Sequence, residues 1–125
     1  MLHSATGFDG AFSAPHRAAA LAGRDILRAG GTAMEAMVSA AATIAVTYPH
    51  MNGIGGDGFW LIHRPGHKVT GISACGQAAR LATPDWYGER GFATAMPTRG
   101  ALAALTVPGT VGGWDKALSL VPEEN

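Results

Sequence analysis

The sequence predicts an α+β fold. Two helical patterns lie in tandem toward the N-terminus. Two apolar β segments follow, joined through a Pro-Gly turn, and further short helical patterns come after them. Helices grouped beside an antiparallel hairpin define that class. At 125 residues the chain is of a size for one domain, and residues 1–125 are expected to form a single, incomplete one, with residues 1–10 loose.

The elements follow in order. Ala11-Phe12-Ser13-Ala14 reads as a short buried strand. Pro15 suits the first turn of a helix, where a missing N–H has no cost. From His16 to Ala29, Leu21, Ala22, Ile26 and Leu27 make an apolar side, while Arg17, Arg24, Asp25 and Arg28 face away. Gly30-Gly31 is a C-terminal stop. Thr32-Ala33-Met34-Glu35 has the form of a capping box, and Met34, Met37, Val38, Ala41, Ile44 and Ala45 continue at helical spacing. Beyond Glu35 this helix carries no charge, which implies cover on both sides, and Pro49 stops it. Phe59-Trp60-Leu61-Ile62 reads as a buried strand, Arg64-Pro65-Gly66-His67 as a turn, and Lys68 to Ala74 as the returning strand. Thr83 caps a short helix that starts at Pro84. Phe92 to Arg99 carries no clear pattern. Ala101 to Val107 is a candidate strand, and Pro108-Gly109-Thr110 turns into a last helix near Val111 to Leu120.

Composition excludes several functions. The formal net charge is 0, so there is no basic face for nucleic acid. Charged residues make up 14%, against about 25% in a typical soluble protein. Hydrophobic residues make up 47%. So few charges cannot cover the surface of a small domain, so much of the chain is expected to be buried against other polypeptide. Cys75 is the only cysteine and cannot form an internal disulfide. The N-terminus lacks a basic start and an apolar run, and no segment is long enough to span a bilayer, so no membrane partner is expected. A cytoplasmic location is the default, and a periplasmic one fits a processed form.

The glycine-rich bend organises the chain. Gly53, Gly55, Gly56 and Gly58 lie between helix and strand, which suggests a sharply bent backbone in a crowded place. Gly53-x-Gly55-x-x-Gly58 matches the letters of the dinucleotide-binding fingerprint, but that motif needs a strand before it and a helix after it. The order here is reversed, so nucleotide binding is not expected. His3, His16, His50, His63 and His67 lack metal-ligand spacing; His63 and His67 flank a turn. Ser13, Ser39, Ser73 and Ser119 lack a nucleophile elbow. No neighbouring residue argues for an activated Cys75, so a buried structural thiol is its simpler reading. No metal or cofactor is expected, and these residues alone specify no reaction.

Three segments together carry a resemblance. Ala22-Gly23-Arg24-Asp25-Ile26-Leu27-Arg28-Ala29-Gly30-Gly31-Thr32-Ala33 is similar to the "Gly-x-x-Ile-Leu-x-x-Gly-Gly-Asn-Ala" segment of gamma-glutamyltranspeptidases. The run from Pro49 through Gly53, Gly55, Gly56 and Gly58 to Phe59 resembles their "Pro-His-Ser-Ser-Gly-Ile-Gly-Gly-Gly-Gly-Phe" hinge. Val107-Pro108-Gly109-Thr110-Val111-Gly112-Gly113 resembles their "Val-Pro-Gly-Thr-Val-Ala-Gly" turn. The similarity covers about residues 12 to 120, in the family's order, and three linked motifs are far more specific than one.

The resemblance implies the N-terminal part of a large subunit, within an N-terminal-nucleophile hydrolase of αββα sandwich architecture. Such enzymes are made as precursors that cut themselves. The freed N-terminal Thr of the small subunit attacks an amide carbonyl, its own α-amine serving as base. That Thr lies outside this sequence, so no catalytic residue is expected within it. The implied partners are the remainder of the large subunit, the small subunit and a small-molecule amide.

One departure bears on specificity. After the second hairpin strand the family carries an Arg-Glu pair whose Arg clamps the α-carboxylate of the γ-glutamyl group, and Cys75-Gly76 stand at those positions. Losing a bidentate Arg–carboxylate clamp removes charge-assisted hydrogen bonds that no neutral residue replaces. The expected substrate is therefore another amide, as in an oxamate amidohydrolase or a cephalosporin-type acylase. Cys75, Gly76 and Arg80 are the candidate substrate contacts, with Arg80 either a repositioned anion contact or a surface residue. A Cys75→Arg-Gly76→Glu variant is expected to gain γ-glutamyl hydrolysis. The rival readings are a true gamma-glutamyltransferase and a non-catalytic binding or structural module.

Overall fold

A computed structural model describes residues 6–122, which form two compact units: residues up to Ile54 with those from Trp114 onward, and Gly55–Gly113.

In the first unit, α1 (Arg17–Arg28) begins at His16, whose Nδ1 accepts from the Ala18 amide at 3.2 Å. Pro15 therefore precedes the cap instead of occupying the first turn. The exit is a Schellman close: Gly30 N–H donates to Leu27 and Gly31 N–H to Ile26, with Gly30 at φ 88°. Three residues on, α2 (Ala33–Thr47) opens with the expected capping box. The Glu35 amide donates to Thr32 Oγ1, and Glu35 Oε2 accepts from Thr32 N–H at 2.7 Å. The Thr32 N–H foremost, and the Thr32 hydroxyl, which donates to the same Oε2 at 2.8 Å, hold the Glu35 carboxyl below its ordinary value. Ala19, Met34, Ala36 and Ala40 are buried where α1 packs on α2.

No strand forms at Ala11–Ala14. A strand needs a partner ladder, and none reaches this segment among the described residues. Phe12 instead lays its ring over Gly23, where any Cβ would collide with it.

The second unit is built on an antiparallel hairpin, β1 (Gly58–Ile62) and β2 (Thr70–Ala74), paired from Gly58↔Ala74 to Ile62↔Thr70. The returning strand begins at Thr70, two residues later than its apolar pattern suggests. Nor is β1 buried throughout: Phe59 is 71% and Leu61 86% exposed, while Trp60 and Ile62 are half-buried. With two strands and one covered face, side chains alternate between cover and solvent.

The short helix α3 (Pro84–Gly88) is capped by Thr83 Oγ1, which accepts from the Trp86 amide at 3.2 Å. Its Tyr87 is buried and donates to the Leu102 carbonyl at 2.9 Å. The Arg90 guanidinium lies 3.7 Å from the centre of the Trp86 ring. The expected strand at Ala101–Val107 is absent. Gly100, at φ 85°, launches a 3-10 turn over Ala101–Ala103, and one bridge, Ala78↔Thr106, follows. Pro108 has no N–H to extend that pairing. The last helix, α4, spans Thr110–Leu118.

Candidate site at the exit of the second strand

The glycine-rich bend and the Val-Pro-Gly-Thr turn meet in the second unit. The Gly56 carbonyl accepts from the Gly109 and Thr110 amides, both at 3.0 Å, and from Thr110 Oγ1 at 2.7 Å. Thr110 Oγ1 also lies 3.1 Å from the Asp57 carbonyl. Thr110 is 7% exposed, so its hydroxyl is a buried polar group with its bonding satisfied within the turn.

The second clasp holds the end of β2. A Cβ on Gly76 would overlap the backbone carbonyl of Val107, and one on Gly109 the carbonyl of Ala74. Close approach of backbone to backbone, not a left-handed φ, requires glycine at both places. The Gly76 amide donates to Asp57 Oδ1 at 3.2 Å. The Gln77 carbonyl accepts from the Val107 amide at 2.9 Å, and Ala79 N–H reaches the Leu105 carbonyl at 3.3 Å. Residues 76–79 are thus tied to 105–107 on one side and to Asp57 on the other.

Crowding, then, sits at Gly76 and Gly109, not along the whole bend. A Cβ on Gly53, Gly55 or Gly56 would meet nothing within 4 Å, and all three are exposed with φ outside the left-handed region. Gly58 has only ordinary contacts, the nearest being the Thr110 Cα at 3.5 Å. The expectation of a crowded bend is corrected at Gly53, Gly55 and Gly56, whose surroundings in this chain are open.

Of the candidate contacts, Cys75 and Gly76 share this clasped turn. Cys75 is exposed, against the reading of a buried thiol, because it continues the alternation that leaves Gly71 and Ser73 on the uncovered face of β2. Its Sγ lies 3.4 Å from Ser73 Oγ. Arg80 is exposed just past the Ala78 bridge, with no hydrogen bond or ion pair to any described residue. Two residues were missed from sequence: Asp57, a lone carboxylate within the glycine run, and Thr110, the hydroxyl of the conspicuous Val-Pro-Gly-Thr turn.

The comparisons with known proteins bear on the family and the fold. The gamma-glutamyltranspeptidase family model matches residues 19–120. An oxamate amidohydrolase proenzyme from Klebsiella pneumoniae is 56% identical over 108 residues, which are 86% of this chain and 20% of that protein. A glutathione hydrolase proenzyme from Bacillus subtilis is 37% identical over 115 residues, 90% of this chain and 20% of that protein. The chain therefore spans about a fifth of these relatives' length. Among solved structures, the Helicobacter pylori gamma-glutamyltranspeptidase superposes with a TM-score of 0.77 at 28% identity, over 94% of this chain and 34% of that one. The Pseudomonas nitroreducens enzyme, complexed with L-DON, gives 0.72 at 32% identity, over 93% and 35%. The α+β fold is thus part of an N-terminal-nucleophile hydrolase, and the chain belongs to the gamma-glutamyltranspeptidase family.

Proposed function

We propose that the whole protein containing this chain is an autoprocessing amidohydrolase that prefers a small acyl amide, oxamate or a close analogue, over a γ-glutamyl group. In this reading the nucleophile is the N-terminal Thr of a small subunit, outside this sequence. Its hydroxyl adds to the amide carbonyl while its α-amine takes the proton. Ammonia leaves, an acyl ester remains, and water hydrolyses that ester to regenerate the Thr. The chain described here supplies pocket wall at Cys75, Gly76 and Arg80 and no catalytic group.

The observation that carries the reading is the turn after β2. An exposed Cys75 stands where the family places its carboxylate-binding Arg, and the backbone of Val107 leaves Gly76 no room for a side chain. The identity of 56% to an oxamate amidohydrolase supports the same choice, against 37% to a glutathione hydrolase.

The close packing of Gly76 also revises the variant expected from sequence. Glutamate at residue 76 would displace the 107 turn, so the informative change is Cys75→Arg alone. In the whole processed protein, Cys75→Arg is expected to raise kcat/KM for γ-glutamyl p-nitroanilide about tenfold or more, since a hydrogen bond to a charged group contributes about 1.5–3 kcal/mol. An unchanged γ-glutamyl rate in a folded, processed variant counts against the specificity reading. A wild-type protein that already prefers γ-glutamyl substrate makes it a glutathione hydrolase instead.

A further inference from the structure

We propose that Asp57 is a positioning residue for the acyl-binding pocket, acting through the Gly76 amide. The claim rests on the reading of Cys75-Gly76 as pocket wall and extends it to a residue that touches neither the nucleophile nor, on this reading, the substrate.

Three observations converge on it. Asp57 Oδ1 accepts from the Gly76 N–H at 3.2 Å and so ties the residue before β1 to the turn after β2. Asp57 makes no salt bridge with any described residue, and its carboxylate instead accepts from this amide. Gly76 also abuts the Val107 backbone, which blocks movement toward that segment. Gly76 therefore meets both a backbone wall and a carboxylate tether. The wall limits approach to Val107, and the tether limits movement away from Asp57. Cys75 precedes this fixed amide directly, so where its exposed side chain points depends on where Gly76 is held.

The consequence concerns substrate binding rather than chemistry. A loosened turn makes the pocket wall mobile, which weakens binding of the acyl group while leaving the nucleophile itself unaltered. The bond needs an acceptor oxygen and not a charge, so asparagine should serve as well as aspartate.

The test uses the whole processed protein and its Asp57→Asn and Asp57→Gly variants, with KM and kcat measured separately on whichever amide the wild type cleaves. Asp57→Gly is expected to raise KM about five- to tenfold with kcat within twofold, and Asp57→Asn to restore KM to within about twofold of wild type. Equal impairment of the two variants overturns the proposal, because charge and not the tether would then matter. So does an unchanged KM in Asp57→Gly, or a loss confined to kcat. The functional reading fails on a different result, a wild type that cleaves γ-glutamyl amides in preference to oxamate, and the variant comparison on that substrate still decides the role of Asp57.

Discussion

Gly76 shows how a contact far away in sequence can demand a residue without a side chain. Its Cβ position is taken by the Val107 carbonyl, so even alanine must push one backbone segment off another. Gly76→Ala is expected to destabilise the whole protein by about 3 kcal/mol, at the upper end for overpacking, read as a lowered urea midpoint at unchanged m-value. A midpoint within experimental scatter of wild type would show that the two segments are not in contact in the assembled protein. The sequence marks residues 75 and 76 as a departure from the family motif, but not the reason. The contacts that explain it are non-local: Asp57 is 19 residues from Gly76, and Thr110 is 54 residues from the Gly56 carbonyl it binds. Periodicity and turn chemistry see only neighbours, which is also why the glycines at 53, 55 and 56 look crowded from sequence while standing open here.

Elements whose causes are local were legible. The Thr32–Glu35 box, the Gly30-Gly31 stop and the Thr83–Pro84 start follow from residues within a few positions of each other, and the hairpin from two neighbouring apolar segments joined by a short turn. The segments at 11–14 and 101–107 were misread because an apolar run does not name its partner; one packs a ring on Gly23, and the other makes a 3-10 turn and one bridge. The capping box gives a measurable consequence. Thr32→Ala is expected to cost about 1 kcal/mol in thermal or urea denaturation. Because the Glu35 carboxyl is held below its ordinary value, its contribution is present above the ordinary glutamate range. It is lost as pH falls through the lowered value. Stability of wild type minus Glu35→Gln should therefore shrink as pH drops below about 4.3, the ordinary glutamate value. A difference independent of pH over that range would contradict the assignment.

Among the described residues, the chain leaves many large apolar side chains uncovered. The buried apolar residues are mostly alanines, while Met37, Val46, Phe59, Leu61 and Val69 are exposed. The scarcity of charge in the sequence points the same way. Expressed alone, residues 1–125 are expected to melt over a broad, non-cooperative transition with little amide protection; a sharp two-state melt would contradict this. The function is proposed for the whole processed protein, and the proposal's central claim is that the turn after β2 disfavours the γ-glutamyl group. The most direct measurement places oxamate and a γ-glutamyl anilide at equal concentration with the whole processed protein and follows their relative consumption, which gives the ratio of kcat/KM. Faster loss of oxamate is the predicted result, and faster loss of the γ-glutamyl anilide would contradict the account.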